Sequence, residues 1–398
     1  MPFTKRKLKN GITVLHEPRP LPLVALSISN PFGASFETEK EKGIAHFIEH
    51  LVFTGTKTRS HEDISKEIEK KGGILNAFTS HDITSFLFKL PSEHLFAGLD
   101  ILTDILNNPL FEKEKFEKEK KVILEEIKMY HDMPMRHVHD LLENTLYKSP
   151  FGLGIAGSKE SVSSLTRDFV FNYFKKHYNP KNYIVTVVGN ADLKKICDYL
   201  EKNFSPKKSL TTPQKIKLHN KHSTEERPGI DQAHFMFAFH APFQTDKKHS
   251  VLEVLNAYLA KGMSSRLFLE IREKRGLAYS IQGSINTEKN YSYYSIYVGT
   301  TKEAISKVKE LILKEFNNID SMTPSNLSEA KESLVGYRKV SSEESTNVMN
   351  ELLFAEISTK AEDYYEEEDK INSVTLKEVK DFASTATKSY STAAIVPK

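Results

Sequence analysis

The chain has 398 residues, 39% of them hydrophobic and 27% charged, with a formal net charge of +3. That length suggests two domains, the composition is that of a soluble globular protein, and the small net charge gives no argument for nucleic acid or membrane partners. The single Cys197 excludes an intramolecular disulfide framework and a cysteine-built zinc site, and no apolar run approaches the ~18 residues of a transmembrane helix.

The N-terminal stretch MPFTKRKLKNG carries charge but no apolar signal core, and the first strand follows at once, so a cytoplasmic location is the expectation. The segment from Gly43 to Leu51, GIAHFIEHL, then places two histidines four apart with a carboxylate directly before the second. On a helix, residues four apart share a face. His46 and His50 can therefore converge on one divalent ion, and zinc takes neutral histidine nitrogens at ~2.0–2.1 Å. Glu49 lies on nearly the same face, within reach of a proton on a metal-bound water. His46-x-x-Glu49-His50 inverts the commoner order H-E-x-x-H of zinc peptidases. The competing reading is a helix with surface histidines and a solvated glutamate.

Gly73–Phe88 reads as two alternating strands around a polar turn. Glu112–Met133 is a strong helix former whose apolar positions Phe116, Val122, Ile123, Ile127 and Tyr130 mark one stripe. Glu119 and Glu126, two turns apart, project into that stripe, where a carboxylate is costly unless paired or bound to metal. Glu126 is the candidate third ligand, leaving a fourth zinc position open. Glu119 is the candidate for orienting a ligand or sharing protons behind it. A helix lying on a rim, with both acids in solvent, is the alternative. His137 and His139 point to different faces of a helix and are not expected to share a metal. His131, His219, His222 and His249 lie in polar stretches and read as solvated, His16 and His240 as packed, and the acidic run Glu366–Asp369 as a solvated helix end.

The second half repeats the first. Val162–Val170 recurs as Ile371–Val379, and each copy leads through a helix to an apolar strand, Ile184–Val188 and Ala393–Val396. Gly73–Phe88 has its partner in Gly276–Val298. Cys197 falls on an amphipathic helix as a small buried hydrophobe. The expected architecture is α+β: two homologous units, each a mostly antiparallel sheet packed with helices. The expected bounds are residues 1–204 for a zinc-binding unit, 205–229 for a Lys-, Pro- and Thr-rich linker, and 230–398 for a substrate-holding unit. The helix Ser250–Leu259, which corresponds to the histidine helix, has no histidine, so the second unit keeps the fold without the metal site.

The H-x-x-E-H helix, followed 76 residues after His50 by Glu126 in a V-I-L-E-E-I context, resembles the pitrilysin/insulinase family of zinc peptidases. The branch it is most similar to is that of mitochondrial processing peptidase and its bacterial and archaeal relatives. The likeness runs over nearly the whole chain: Lys9–Leu15 for the opening strand, Gly72–Thr79 with Asp82-x-Thr84 for the active-site edge strand, Pro150-Phe151-Gly152 with Gly157, and Met263–Phe268 through Arg272–Tyr279 in the second domain. The resemblance implies that an extended peptide adds to Asn76, Ala77, Phe78 and Thr79 by main-chain hydrogen bonds. It also implies that Arg272 and Tyr279 reach the bound peptide near the scissile bond. Family members close four such units around a chamber, so this chain is expected to dimerise, as a homodimer or with a partner lacking the motif.

The expected function is a zinc-dependent endopeptidase for flexible or unfolded peptides, with one Zn2+ per chain held by His46, His50 and Glu126. Glu49 takes the proton of the attacking water and passes it to the leaving amine. Two other readings stay open: a non-catalytic structural or substrate-presenting subunit of a larger complex, and a metal-dependent hydrolase acting on something other than peptides.

Overall fold

A computed structural model describes residues 3–206 and 212–398; Met1, Pro2 and residues 207–211 of the expected linker lie outside the described residues. Contacts divide the chain into two units that interleave along the sequence. Residues 1–128, 154–215 and 341–362 form the first, and 129–153, 216–340 and 363–398 the second.

The first unit is built on six strands: β1 (Thr4–Lys7), β2 (Thr13–Pro18), β3 (Leu23–Asn30), β4 (Ile74–Thr79), β5 (Thr84–Pro91) and β6 (Ile184–Gly189), in the order β1-β2-β6-β3-β5-β4. Only β2 and β6 run parallel; the other pairs are antiparallel. Every residue of β3 from Val24 to Asn30 is buried, as both faces of a central strand must be. Val24, Leu26 and Ile28 enter the main core. The alternate residues Ala25, Ser27 and Ser29 are small, and the helix Ser345–Ser358 packs against β3 and β6. The main core is closed by α1 (Ile44–Val52), α2 (His61–Glu69), α3 (Leu95–Asn107) and α4 (Lys113–Asp132). β4 lies at the edge of the sheet, with no strand on its outer side among the described residues.

The second unit repeats this plan with β7 (His222–Arg227), β8 (Ala233–His240), β9 (Ala278–Thr287), β10 (Ser292–Thr300) and β11 (Ser391–Pro397), in the order β7-β11-β8-β10-β9. It matches β2-β6-β3-β5-β4, down to the one parallel pair, β7 with β11. β8 alternates cleanly: Phe235, Phe237 and Phe239 face one core, while Met236 and Ala238 face a second core closed by Val138, Leu142 and Leu146 of α5 (Pro134–Leu146). The fold is thus α+β with two homologous units, as the repeats imply.

Four details differ from the sequence reading. β7 lies inside the stretch 205–229 expected as linker; its sequence HSTEER is polar on both faces because it is an edge strand, so no apolar alternation marks it. Val122 is 44% exposed and off the buried stripe of α4, which is carried by Phe116 and Ile123. His249 is buried, because its helix, Lys248–Ala260, starts two residues earlier than periodicity suggests. Glu367, in the acidic run, is buried, with Lys370 Nζ 3.3 Å from its carboxylate.

Candidate active site

α1 begins without a serine, threonine or aspartate cap. Gly43, at φ +92°, takes the left-handed turn into it, and a Cβ there would sit 2.5 Å from the Ala156 carbonyl oxygen. The helix N-terminus is capped from a distance instead. Glu37 Oε2 accepts from Gly43 N at 3.0 Å and Oε1 accepts from Ala45 N at 2.8 Å. A carboxylate so placed satisfies two orphan donors and meets the positive end of the helix dipole. Lys42 Nζ lies 3.6 Å from Glu37, and both side chains are fully buried. Burial raises the Glu37 carboxyl to about 6, against the opposing pull of Lys42 and the two backbone N–H groups.

α1 buries Ile44, Ala45, Phe47, Ile48, Leu51 and Val52 and leaves His46, Glu49 and His50 half-buried on one stripe. Phe47 stacks on Phe116, with ring centroids 4.8 Å apart, which sets α4 alongside. The two helices bring their polar stripes together. His46 Nε2 and His50 Nε2 lie 3.8 and 3.5 Å from Glu126 Oε2. These separations are too long for good hydrogen bonds. They match the spacing of about 3.4 Å between ligands of one tetrahedral zinc at ~2.0–2.1 Å. Two imidazoles and one carboxylate form the donor set of a catalytic zinc with an open position, so the residues present fit the ion.

Behind this triad, His50 Nδ1 lies 3.4 Å from Glu119 Oε2, the relation in which an outer carboxylate fixes a ligand's ring and tautomer. Burial, and next the neighbouring His50 charge, push His46 down to about 4, so its ring is neutral and free to ligate at neutral pH. Burial also works to lower His50, but the bond it donates to Glu119 and the charges of Glu126 and Glu49 outweigh it and hold His50 above its usual value. Glu49 is pushed up by burial, against a hydrogen bond from Thr79, whose Oγ1 donates to Glu49 Oε2 at 2.5 Å.

That bond comes from β4. Ser80 N donates to Ile83 O, so Thr79–Thr84 is a wide pair, and by the alternation of an antiparallel ladder the N–H and C=O groups of Leu75, Ala77 and Thr79 point out of the sheet edge. Ala77 N–H is met there by Asn76 Oδ1 at 2.8 Å. The side chains of Leu75, Ala77 and Thr79 face the core side, while Phe78, on the other face, stacks on Phe354. A cavity of about 580 Å³ opens beside Glu49 and His50, lined also by Phe53, His61, Glu69, Asn76, Ala77 and Glu119. The structure therefore groups His46, Glu49, His50, Glu119, Glu126 and the strand Asn76–Thr79 within one unit.

Arg272 and Tyr279 belong to the second unit. Arg272 sits on a single π-helical turn, Phe268–Glu273, with its guanidinium 4.8 Å from the Phe268 ring centroid. Such turns are frequent at functional sites. Tyr279 is 59% exposed near the start of β9.

A second His/Glu group in that unit, His131, His137 and Glu225, has the donor types of a metal site. Its cation is already there. Arg227 donates to Glu225 Oε1 at 2.6 Å and lies 3.3 Å from His131 Nε2, while His137 Nε2 donates to Glu225 Oε2 at 3.0 Å. His139 instead stacks on Tyr297, apart from His137 as helical spacing predicts. Sequence reasoning missed Glu37, Lys42 and the Thr79 hydroxyl. The one available signal was Gly43 itself, a helix start with no local cap whose donors need an acid from upstream.

Residues 13–159 match the family model described as insulinase, peptidase family M16, and residues 164–334 match that of the peptidase M16 inactive domain. The H-x-x-E-H helix falls in the first match, and the helix Lys248–Ala260, whose His249 joins no His/Glu group among the described residues, falls in the second. An uncharacterized zinc protease of Bacillus subtilis is 32% identical, over 98% of this chain and 97% of its own length. Another, from Rickettsia felis, is 34% identical over 81% of this chain and 78% of its own. Among solved structures, a protease from Helicobacter pylori superposes with a TM-score of 0.93 at 21% identity, covering 100% of this chain and 99% of that one. The peptidase M16 inactive domain from Pseudomonas fluorescens does so at 0.90 and 18%, covering 100% and 98%. The chain belongs to the insulinase family of peptidases, M16.

Proposed function

We propose that this chain is a zinc-dependent endopeptidase that hydrolyses flexible or unfolded peptides. The observation that carries the reading is the convergence of His46, His50 and Glu126, with Glu49 and His50 lining a cavity beside the sheet-edge strand β4. Zinc, when bound, supplies a Lewis acid that polarises a peptide carbonyl and acidifies water. The remaining work belongs to the chain. His46, His50 and Glu126 hold the ion, and Glu119 fixes the His50 ring. Glu49 accepts the proton of the attacking water and delivers it to the departing amine. A substrate in extended form pairs with the outward N–H and C=O groups of Leu75 and Thr79 and with Ala77, whose N–H it takes over from Asn76 Oδ1, so folded proteins are excluded and sequence selectivity is modest.

The test is hydrolysis of an unstructured peptide of roughly twenty to thirty residues, longer than one strand's reach. Cleavage is expected, lost on treatment with a chelator and regained on adding one equivalent of zinc. Zinc-loaded protein that leaves every such peptide intact would favour the non-catalytic subunit instead.

In the same reading the working form is a dimer, with Arg272 and Tyr279 serving the site of the opposite subunit. A guanidinium that bonds a peptide carbonyl contributes as a charge-assisted hydrogen bond does, about 1.5–3 kcal/mol. Arg272→Ala should thus lower kcat/KM about 10- to 100-fold while zinc content stays at one per chain. Unchanged kinetics on several peptides would remove Arg272 from the site.

A further inference from the structure

Glu49 is tied to the substrate strand rather than to the other zinc-site acids. Thr79 Oγ1 donates to Glu49 Oε2 at 2.5 Å. A carboxylate left to itself on a helix can turn about its last bond and offer either oxygen to water. Here one oxygen is committed as acceptor, and a threonine hydroxyl has a single proton to give. We propose that Thr79 is a positioning residue: its hydroxyl fixes the Glu49 carboxylate so that Oε1 is the oxygen that receives the water proton. This rests on the peptidase reading given above.

The framework around the bond is built to hold both of its ends. The turn after Thr79 is stapled to the loop leading into α1, with Ala34 N bonded to Ser80 O at 3.0 Å and Ser35 N to His81 O at 2.7 Å. Ser35 Oγ donates to Asp82 Oδ1 at 2.9 Å and Thr84 Oγ1 to Phe32 O at 3.0 Å. Thr79 is β-branched and so stiff at its first side-chain torsion, which aims the hydroxyl once the strand is in place. The main chain of Thr79 faces the open edge while its side chain faces Glu49, so a peptide paired to the strand steadies the residue that aligns the base. The loss from removing the hydroxyl should therefore fall on kcat rather than on KM.

The experiment compares zinc-loaded wild type, Thr79→Val and Thr79→Ser on one flexible peptide, with metal content measured for each. Valine keeps the shape and removes the donor; serine keeps the donor. Misaligning a catalytic group costs up to about 100-fold, so Thr79→Val is expected to lose about 10- to 100-fold in kcat, with KM within about twofold and zinc still at one per chain. Thr79→Ser should stay within about threefold of wild type. Full turnover by Thr79→Val overturns the proposal. So does a serine variant as impaired as the valine one, which would make the role one of packing, or loss of zinc from Thr79→Val. A wild type that cleaves nothing overturns the peptidase reading and this inference with it, and the side-by-side wild-type assay separates that failure from the others.

Discussion

Glu49→Gln should lose peptide hydrolysis by about 10³-fold or more while keeping one zinc per chain, since general-base catalysis alone contributes roughly 10²–10⁴-fold. The amide has the size and shape of the carboxylate, and its carbonyl oxygen can still accept from Thr79 Oγ1 as Glu49 Oε2 does at 2.5 Å. Its NH2 group has no lone pair that can take a proton from water. None of the three candidate zinc donors is touched, because they sit on His46, His50 and Glu126. Turnover measured with a quenched-fluorescence peptide, beside metal analysis of the same sample, separates the two effects. Wild-type rates in the variant would sink the assignment of Glu49 as base; loss of zinc would mean that the substitution reached the metal site.

Much of this site was legible because helical spacing is strict. Residues at 46, 49 and 50 must share a face, and two acids on an otherwise apolar stripe need a partner. The pairing of Glu126 with the histidines and of Glu119 with His50 follows once Phe47 and Phe116 set the two helices side by side. Edge strand β4 was legible from its alternation and from the family resemblance, but the use of the Thr79 hydroxyl was not, since alternation says which face a side chain takes and not what it meets there. The interleaving of the two units was invisible for a related reason. α5 has an apolar face, as any surface helix does, and nothing in its sequence states that β8 and β11 will cover it. β7 went unseen because a polar edge strand and a linker share a composition. The cap from Glu37 is a contact six to eight residues long through a loop, beyond any local capping pattern.

That cap gives the second large effect. Above pH 6, where Glu37 is ionised, Glu37→Ala should destabilise the first unit by about 3–5 kcal/mol, the cost of removing one partner of a buried ion pair, and lower its melting temperature by roughly 10 °C. The variant leaves the Lys42 ammonium buried without this carboxylate and strips the Gly43 and Ala45 N–H groups of their acceptors. The pH dependence has a definite sign. Burial raises the Glu37 carboxyl from 4.5 to about 6, so the folded state holds its proton more tightly than the unfolded chain does. The stability this confers is fully present below pH 4.5 and is lost as pH rises through about 6. Wild type should show that loss in its melting temperature between pH 4.5 and 6, and Glu37→Ala should lack it, making the gap between the two proteins larger at the acid end. Because the cap sits at the start of the helix that carries His46 and His50, the loosened N-terminus should also weaken zinc binding. Excess zinc, which binds the folded form, should restore part of the lost stability. A variant that melts with wild type at both pH values would mean that α1 is held by its apolar face alone.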